Sequence, residues 1–116
     1  MHLISFLENK SLEKRLAITP EIAKKYISLG FIISLPIGYG THLGFKDEDY
    51  KNLGVNFSEN EKELINNADV IIQVGLPNDE KLSLLRENQT LIGSLNTFLN
   101  KEKLENLKKK KLIVFH

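Results

Sequence analysis

The sequence contains no cysteine and no tryptophan among its 116 residues. Without cysteine the chain can form neither disulfides nor thiolate metal sites, and it has no thiol nucleophile. No apolar run approaches the roughly 20 residues that a helix needs to cross a bilayer. The net charge is only +1, so no general attraction to nucleic acid or to a membrane surface is expected.

The remaining composition is that of an ordinary globular domain, with 41% hydrophobic and 27% charged residues. The N-terminal apolar stretch is too short, and too soon followed by charge, for a secretory signal. We therefore expect one domain over residues 1–116, since a chain of this length can bury one core.

Short apolar segments alternate with helical segments along the whole chain. This alternation is typical of parallel βαβ units whose strands are covered on both faces. The sequence predicts a three-layer α/β fold, an open, mainly parallel sheet of flavodoxin or Rossmann type with helices on both faces. The predicted strands are 2–7, 31–35, 55–57, 69–74, 90–95 and 112–115.

The predicted helices begin at recognisable capping residues. Thr19 precedes Pro20, and Gly30 follows the last helical turn, so a helix is expected between them with Ile22, Tyr26 and Leu29 on its apolar face. Further predicted starts are a capping box from Ser58 to Glu61, an N-cap at Asn78, and an N-cap at Asn100 with a staple between Leu99 and Leu104.

The glycine-rich loop at 36–44 has two interpretations. Its spacing is G-x-G-x-x-x-G rather than the dinucleotide fingerprint G-x-G-x-x-G, and no long helix follows it. A phosphate cradle is one interpretation, but a tight structural turn is favoured because glycine adopts positive φ freely.

Ligands of such sheets bind beyond the carboxyl ends of the strands, here 8–15, 38–42, 75–77 and 96–98. Arg15, His42 and Asn96 are the side chains there that suit a small anion, although a solvated histidine and a structural arginine are the plainer interpretations. No set of nucleophile, base and acid emerges, so no catalytic or cofactor-binding residue is assigned. His2, His42 and His116 are too scattered for a metal site, and 108–111 is a basic helix end rather than a nucleic-acid patch.

The last predicted strand has no covering helix after it in this sequence. A parallel strand is normally followed by one, so we expect either a longer chain or a partner that covers the open face.

Several strings resemble the N-terminal region shared by alanine dehydrogenases and the alpha subunit of proton-translocating NAD(P) transhydrogenase. They are Glu8 after the first strand, K-R-L-A-I-T-P at 14–20, the glycines Gly38 and Gly40, and D-V-I-I-Q-V-G-L-P at 69–77. The resemblance spans essentially the whole chain and implies the same α/β fold.

Departures from the family pattern separate its two branches. The catalytic lysine of alanine dehydrogenases falls on Gly75, and their substrate-binding histidine falls at or near Asn96. Gln73 replaces the lysine usual in both branches. Arg15 matches the arginine that binds the substrate carboxylate in dehydrogenases, and transhydrogenases resemble this chain in keeping it without the lysine and histidine. Arg15 and Asn96 are therefore the substrate-binding candidates.

The resemblance implies the N-terminal domain of a transhydrogenase alpha subunit, supporting hydride transfer between NAD(H) and NADP(H) without sufficing for it. NAD(H) is expected in a nucleotide-binding domain of the parent protein, outside this chain. Expected partners are that domain, a second copy in a homodimer, and the membrane and NADP-binding subunits, at a cytoplasmic location peripheral to the inner membrane. The alternatives are a domain of a divergent alanine or saccharopine-type dehydrogenase, and a free-standing module that binds a small anion or dimerises.

Overall fold

The six strands assigned in the described residues of the chain form one parallel sheet. The computed structural model describes residues 1–9, 11, 13–97 and 99–115. The strands are β1 (His2–Ile4), β2 (Ile32–Pro36), β3 (Asn56–Ser58), β4 (Val70–Gln73), β5 (Thr90–Gly93) and β6 (Ile113–Phe115). Their order is β3-β2-β1-β4-β5-β6. The α/β prediction is confirmed, and this order is that of the Rossmann rather than the flavodoxin type.

Five α-helices in the described residues connect these strands. They are α1 (Pro20–Ser28), α2 (Asp47–Lys51), α3 (Glu61–Asn66), α4 (Asp79–Ser83) and α5 (Lys101–Lys109), with a 3₁₀ turn at Thr41–Leu43. None of the helices described is long and apolar enough to cross a membrane, and the longest have nine residues.

Alternate residues of the strands serve two separate cores. On β4, Ile71 points to the core that includes Leu82, Leu104 and other side chains of α3, α4 and α5. Its neighbour Val70 points to the opposite core, with Ala23 of α1 among its members. Because successive strand residues face opposite sides, a near-continuous apolar strand indicates cover on both faces, as predicted.

The first helix begins where the sequence predicts. Thr19 Oγ1 accepts a hydrogen bond from Ile22 N at 3.3 Å, and Gly30 has φ +95° after the last turn. The predicted apolar face is wrong at one position, because Leu29 is 72% exposed whereas Ala23 is fully buried.

Two other predicted helix starts are wrong. Asn60, not Ser58, caps α3, since its Oδ1 accepts from Lys62 N at 2.9 Å while Ser58 closes β3. The Asn100 side chain makes no cap, because its amide donates to Leu95 O at 3.1 Å instead. Leu99 is exposed, so the predicted staple does not form. The Asn78 cap of α4 is confirmed, since its Oδ1 accepts from Lys81 N at 2.9 Å.

The strands are shorter than predicted, and β1 illustrates the reason. It ends at Ile4, because Phe6 N donates to the Gln73 side chain rather than to a neighbouring strand. The segment at 5–7 therefore lines the end of the sheet instead of extending it. Of the predicted positions, Phe98 and His116 lie outside the described residues.

Candidate functional site

The order of the sheet reverses between β1 and β4, and the candidate site lies there. The chain moves from β1 outward to β2 and β3, then returns to β4 and continues outward on the other side. At such a point the loops leaving the two strands diverge and open a crevice beyond their carboxyl ends. Glu8 follows β1, and Gln73 is the last residue of β4.

Glu8 bridges the two loops from a buried position. Its carboxylate accepts hydrogen bonds from Val74 N at 2.8 Å, Gly75 N at 3.1 Å and Gln73 Nε2 at 3.0 Å. Burial raises the pKa of Glu8, and the two backbone N–H donors oppose that shift because they favour the charged form. The carboxylate therefore satisfies the backbone at the end of β4 and fixes the mouth of the crevice.

A chain of buried hydrogen bonds continues from Gln73 to the segment before α1. Ser5 Oγ donates to Gln73 Oε1 at 2.9 Å, and Tyr39 OH donates to Ser5 Oγ at 2.8 Å. Tyr39 OH in turn accepts from Ile18 N at 3.2 Å, and burial raises the pKa of Tyr39 to about 12. The network ties β1, β4, the glycine loop and the 15–20 motif into one rigid unit.

A cavity of about 490 Å³ opens beside Glu8 and Gln73. Lys81 is the more enclosed of the two lysines that line it: the ammonium donates to Leu7 O at 3.3 Å, lies 3.6 Å from Glu61 and stands 5.5 Å from the centre of the Phe6 ring. Amide side chains also line the cavity: Asn9, Gln73, Asn78, Asn96 and Asn100. This lining suits a polar ligand, or the polar surface of another domain.

Asn96 and Arg15 are not brought together. Asn96 lines the cavity from the loop after β5 and has left-handed backbone geometry with φ +48°. The side chain of Arg15 is 72% exposed and does not line the cavity. Instead, its Nε and Nη2 donate to the two carboxylate oxygens of Glu13 at 2.9 and 2.7 Å. The guanidinium fork is thus occupied by a carboxylate two residues away.

His42 serves the loop beside Arg15 rather than a metal. Its Nε2 lies 2.8 Å from the carbonyl oxygen of Lys14 and donates to it, which leaves the buried Nδ1 without a partner among the described residues. His2 is at the opposite end of the sheet, with Nε2 2.7 Å from Ser34 Oγ. In the ranges that the structure describes, no group of three or more metal-ligating side chains converges.

The glycine loop is built as a turn that satisfies itself. Gly38 N donates to both carboxylate oxygens of Asp47 at 3.1 Å, so a carboxylate of the chain already holds that amide. Gly40 leaves no room for a side chain, because a Cβ there would lie 2.9 Å from Phe45 Cβ and 3.0 Å from the Tyr50 hydroxyl. These contacts support the interpretation of the loop as a structural turn.

Sequence reasoning missed the network that shapes the site. Ser5 and Gln73 are polar residues inside apolar strand segments, and Ser5 is fully buried. A buried polar residue needs a hydrogen-bond partner, so these two interruptions were the available signal. Pairing them required knowledge that β1 and β4 are neighbours, which their sequence positions do not reveal.

Comparison with known proteins places this geometry in a family. Residues 6–116 match the family described as alanine dehydrogenase/PNT, N-terminal domain. An NAD(P) transhydrogenase alpha subunit of Rickettsia prowazekii is 31% identical over 99% of this chain and 31% of its own length. An alanine dehydrogenase of Halomonas elongata is 29% identical over 77% of this chain and 24% of its own length.

A solved structure supports the fold. The transhydrogenase of Sinorhizobium meliloti superposes with a TM-score of 0.88 at 24% identity, over 98% of this chain and 34% of that one. The chain spans about a third of the length of the transhydrogenase relatives from Rickettsia and Sinorhizobium. The chain belongs to the alanine dehydrogenase/PNT N-terminal domain family.

Proposed function

We propose that this chain acts as the N-terminal domain of an NAD(P) transhydrogenase alpha subunit, supporting hydride transfer between NAD(H) and NADP(H) without performing it alone. The proposal is supported by the transhydrogenase relative, which aligns with nearly the whole chain, whereas the alanine dehydrogenase aligns with 77% of it. The chemistry at the mouth of the crevice gives the second support.

The observation that carries the proposal is the environment of Gly75. Its N–H donates to Glu8, and a Cβ at this position would lie 3.3 Å from Glu8 Oε1 and 3.4 Å from Asn96 Nδ2. The family resemblance assigns the dehydrogenase lysine and histidine to positions 75 and 96, where this chain has glycine and asparagine. Neither an amine nor an imidazole stands there to exchange a proton with a keto or amino acid.

Nucleotide binding is assigned to the rest of the parent protein. The glycine loop has its Gly38 amide held by Asp47, so it offers no free phosphate cradle at that position. We therefore propose that NAD(H) binds in a separate nucleotide-binding domain, which packs over the crevice between β1 and β4. A homodimer, membrane and NADP-binding partner subunits, and a cytoplasmic location beside the inner membrane belong to the same proposal.

A divergent dehydrogenase is the second candidate, favoured by the 29% identity to an alanine dehydrogenase. The exposed Arg15 guanidinium would then bind a substrate carboxylate after releasing Glu13. The two candidates differ in the hydride acceptor, which is a nucleotide in one and an oxo acid in the other.

The test combines a titration with a hydride-transfer assay. NADH is titrated into the 116-residue chain and followed by its own fluorescence, with no tryptophan to interfere. The full-length gene product is then assayed together with the NADP-binding subunit, with pyruvate and ammonium as the competing acceptor pair. No NADH binding by the chain up to millimolar concentration, with transfer between nucleotides in the assembly, is expected. Saturable NADH binding by the chain, or reduction of pyruvate, would contradict the proposal.

A further inference from the structure

One end of the sheet has an apolar face that the described residues leave open. In the parallel register, Thr90 pairs with Ile113 and Ile92 pairs with Phe115, so these four side chains share one face. Ile92 is 37%, Ile113 45% and Phe115 59% exposed. The same face continues across β4, where Val70 and Ile72 join the core beneath α1, so the open strip adjoins that core.

The opposite face of the same two strands shows what such a strip requires. There Leu91 and Val114 pack against Leu104 and Leu107 of α5, which are 2% and 4% exposed. A nine-residue helix with apolar residues at i and i+3 therefore suffices to cover β5 and β6.

The other edge of the sheet provides an internal comparison. Phe57 of β3 packs into the core with α1 and α2, so its neighbours Asn56 and Ser58 point to the other side. Those two are polar and at least partly exposed. The chain thus places polar residues on β3 where the sheet meets water, and isoleucine and phenylalanine on β5 and β6.

We propose that the strip formed by Ile92, Ile113 and Phe115 docks an amphipathic helix of the parent protein from outside these 116 residues, with apolar residues at i, i+3 and i+4. This proposal rests on the proposed function, because it assumes a transhydrogenase-type parent about three times as long as this chain. The interior strand β5 would then be covered on both faces, as strands of a doubly wound sheet are.

The area of the strip favours this occupant over a second copy. Three partly exposed side chains present roughly 300 Å² of apolar surface, whereas a stable interface needs about 800 Å² from each partner. A helix joined to this domain by the same polypeptide needs far less area, because its effective concentration is about millimolar.

The experiment uses the full-length gene product with Phe115 replaced by the photoreactive p-benzoyl-phenylalanine. Irradiation followed by peptide mapping identifies what lies over the strip, and a second protein with the same replacement at Leu29 serves as a matched control. Leu29 is 72% exposed at the end of α1. A cross-link from position 115 to a helical peptide outside residues 1–116, within one chain and absent from position 29, is expected.

Hydroxyl-radical footprinting of the unmodified full-length protein gives an independent measure. If the helix docks, Phe115 falls from 59% exposed to the exposure of a core side chain, and its modification slows about fivefold relative to Leu29. A cross-link between two chains would replace the helix by a second copy. No cross-link, or equal modification of Phe115 and Leu29, would overturn the docking site. Because neither readout involves hydride transfer, a failed transhydrogenase assay is distinguishable from a failed docking test.

Discussion

Gln73 at the end of β4 donates to the Glu8 carboxylate across 3.0 Å and accepts from Ser5 Oγ across 2.9 Å. Its side-chain oxygen accepts from Phe6 N as well, so one amide serves three residues of the segment that follows β1. Only a side chain that both accepts and donates can serve these neighbours. A primary amide therefore joins the two strands at the point where the sheet reverses.

Gln73→Glu keeps this side chain's shape but places a second carboxylate against Glu8. At pH 7 we expect a loss of about 2–4 kcal/mol in the free energy of unfolding, because the two charges repel and Glu8 loses a donor. The pair's pKa in the folded state rises further above the unfolded value of 4.5. The deficit should therefore shrink as pH falls through the folded pKa toward 4.5, as measured by urea unfolding at pH 7 and pH 5.

The exchange Glu8→Gln with Gln73→Glu is the control for this prediction. It restores one carboxylate and one amide to the pair, so it should recover some of the stability that Gln73→Glu loses at pH 7. Equal stability of wild type and Gln73→Glu at pH 7 would show that the Glu8–Gln73 contact does not hold the two strands.

Gly93→Ala tests the close approach of β5 to β4. A Cβ at Gly93 would lie 1.7 Å from the Gln73 carbonyl oxygen, a distance that only a backbone shift can relieve. We expect a loss of at least about 3 kcal/mol, or failure to fold, measured by denaturant unfolding and circular dichroism. Gly30→Ala is the matched control: its φ is +95° but no atom lies within 4 Å of the added Cβ, so only about 1 kcal/mol should be lost. Equal losses in the two variants would contradict the close packing of β5 on β4 at Gly93.

The layered fold was predictable because it depends on local pattern. Apolar strand segments and helix caps such as Thr19 and Asn78 act within a few residues, and the structure confirms both caps. Capping fails as a guide where two candidates compete: Ser58 and Asn60 both precede α3, and β3 pairing takes Ser58 into the sheet. Strand order, which decides where the site lies, depends on non-local contacts that no local pattern encodes.

The candidate site was predicted only incompletely for the same reason. Asn96 reaches the cavity, as its position after a strand suggests. Arg15 does not, because Glu13 offers a carboxylate two residues away in bidentate geometry. A short-range ion pair of this kind is visible only once the loop's backbone brings the two side chains to the same side.

Tyr39→Phe should weaken the link between the 15–20 motif and β1. The hydroxyl is buried between Ile18 N and Ser5 Oγ, and its removal leaves the Ile18 N–H unpaired, at a cost of about 1–3 kcal/mol. The folded pKa of Tyr39 is about 12 against an ordinary 10, so its contribution is complete below pH 10 and is lost as pH rises toward 12. Urea unfolding at pH 7 measures the first effect, and alkaline unfolding measures the second.

Tyr26→Phe is the control for Tyr39→Phe. The Tyr26 ring packs edge-on against Phe31, and the described residues provide its hydroxyl with no hydrogen-bond partner. Its removal should change the free energy of unfolding by less than about 0.5 kcal/mol. Equal losses in the two variants would mean that the Tyr39 hydroxyl does not stabilise the motif.

Arg15→Ala separates a structural arginine from a functional one. The hydrogen bond from the Arg15 side chain lowers the pKa of Glu13 to about 2, so the variant should return that pKa toward 4.5, measured by carboxyl carbon NMR. Thermal stability at pH 7 should not change measurably, because the pair is exposed and screened by solvent. In the full-length protein, a lower kcat/KM with unchanged stability would assign Arg15 to ligand binding, and Arg15→Lys should not restore it because lysine lacks the bidentate fork. If kcat/KM and stability both remain at wild-type values, Arg15 does no more than hold Glu13.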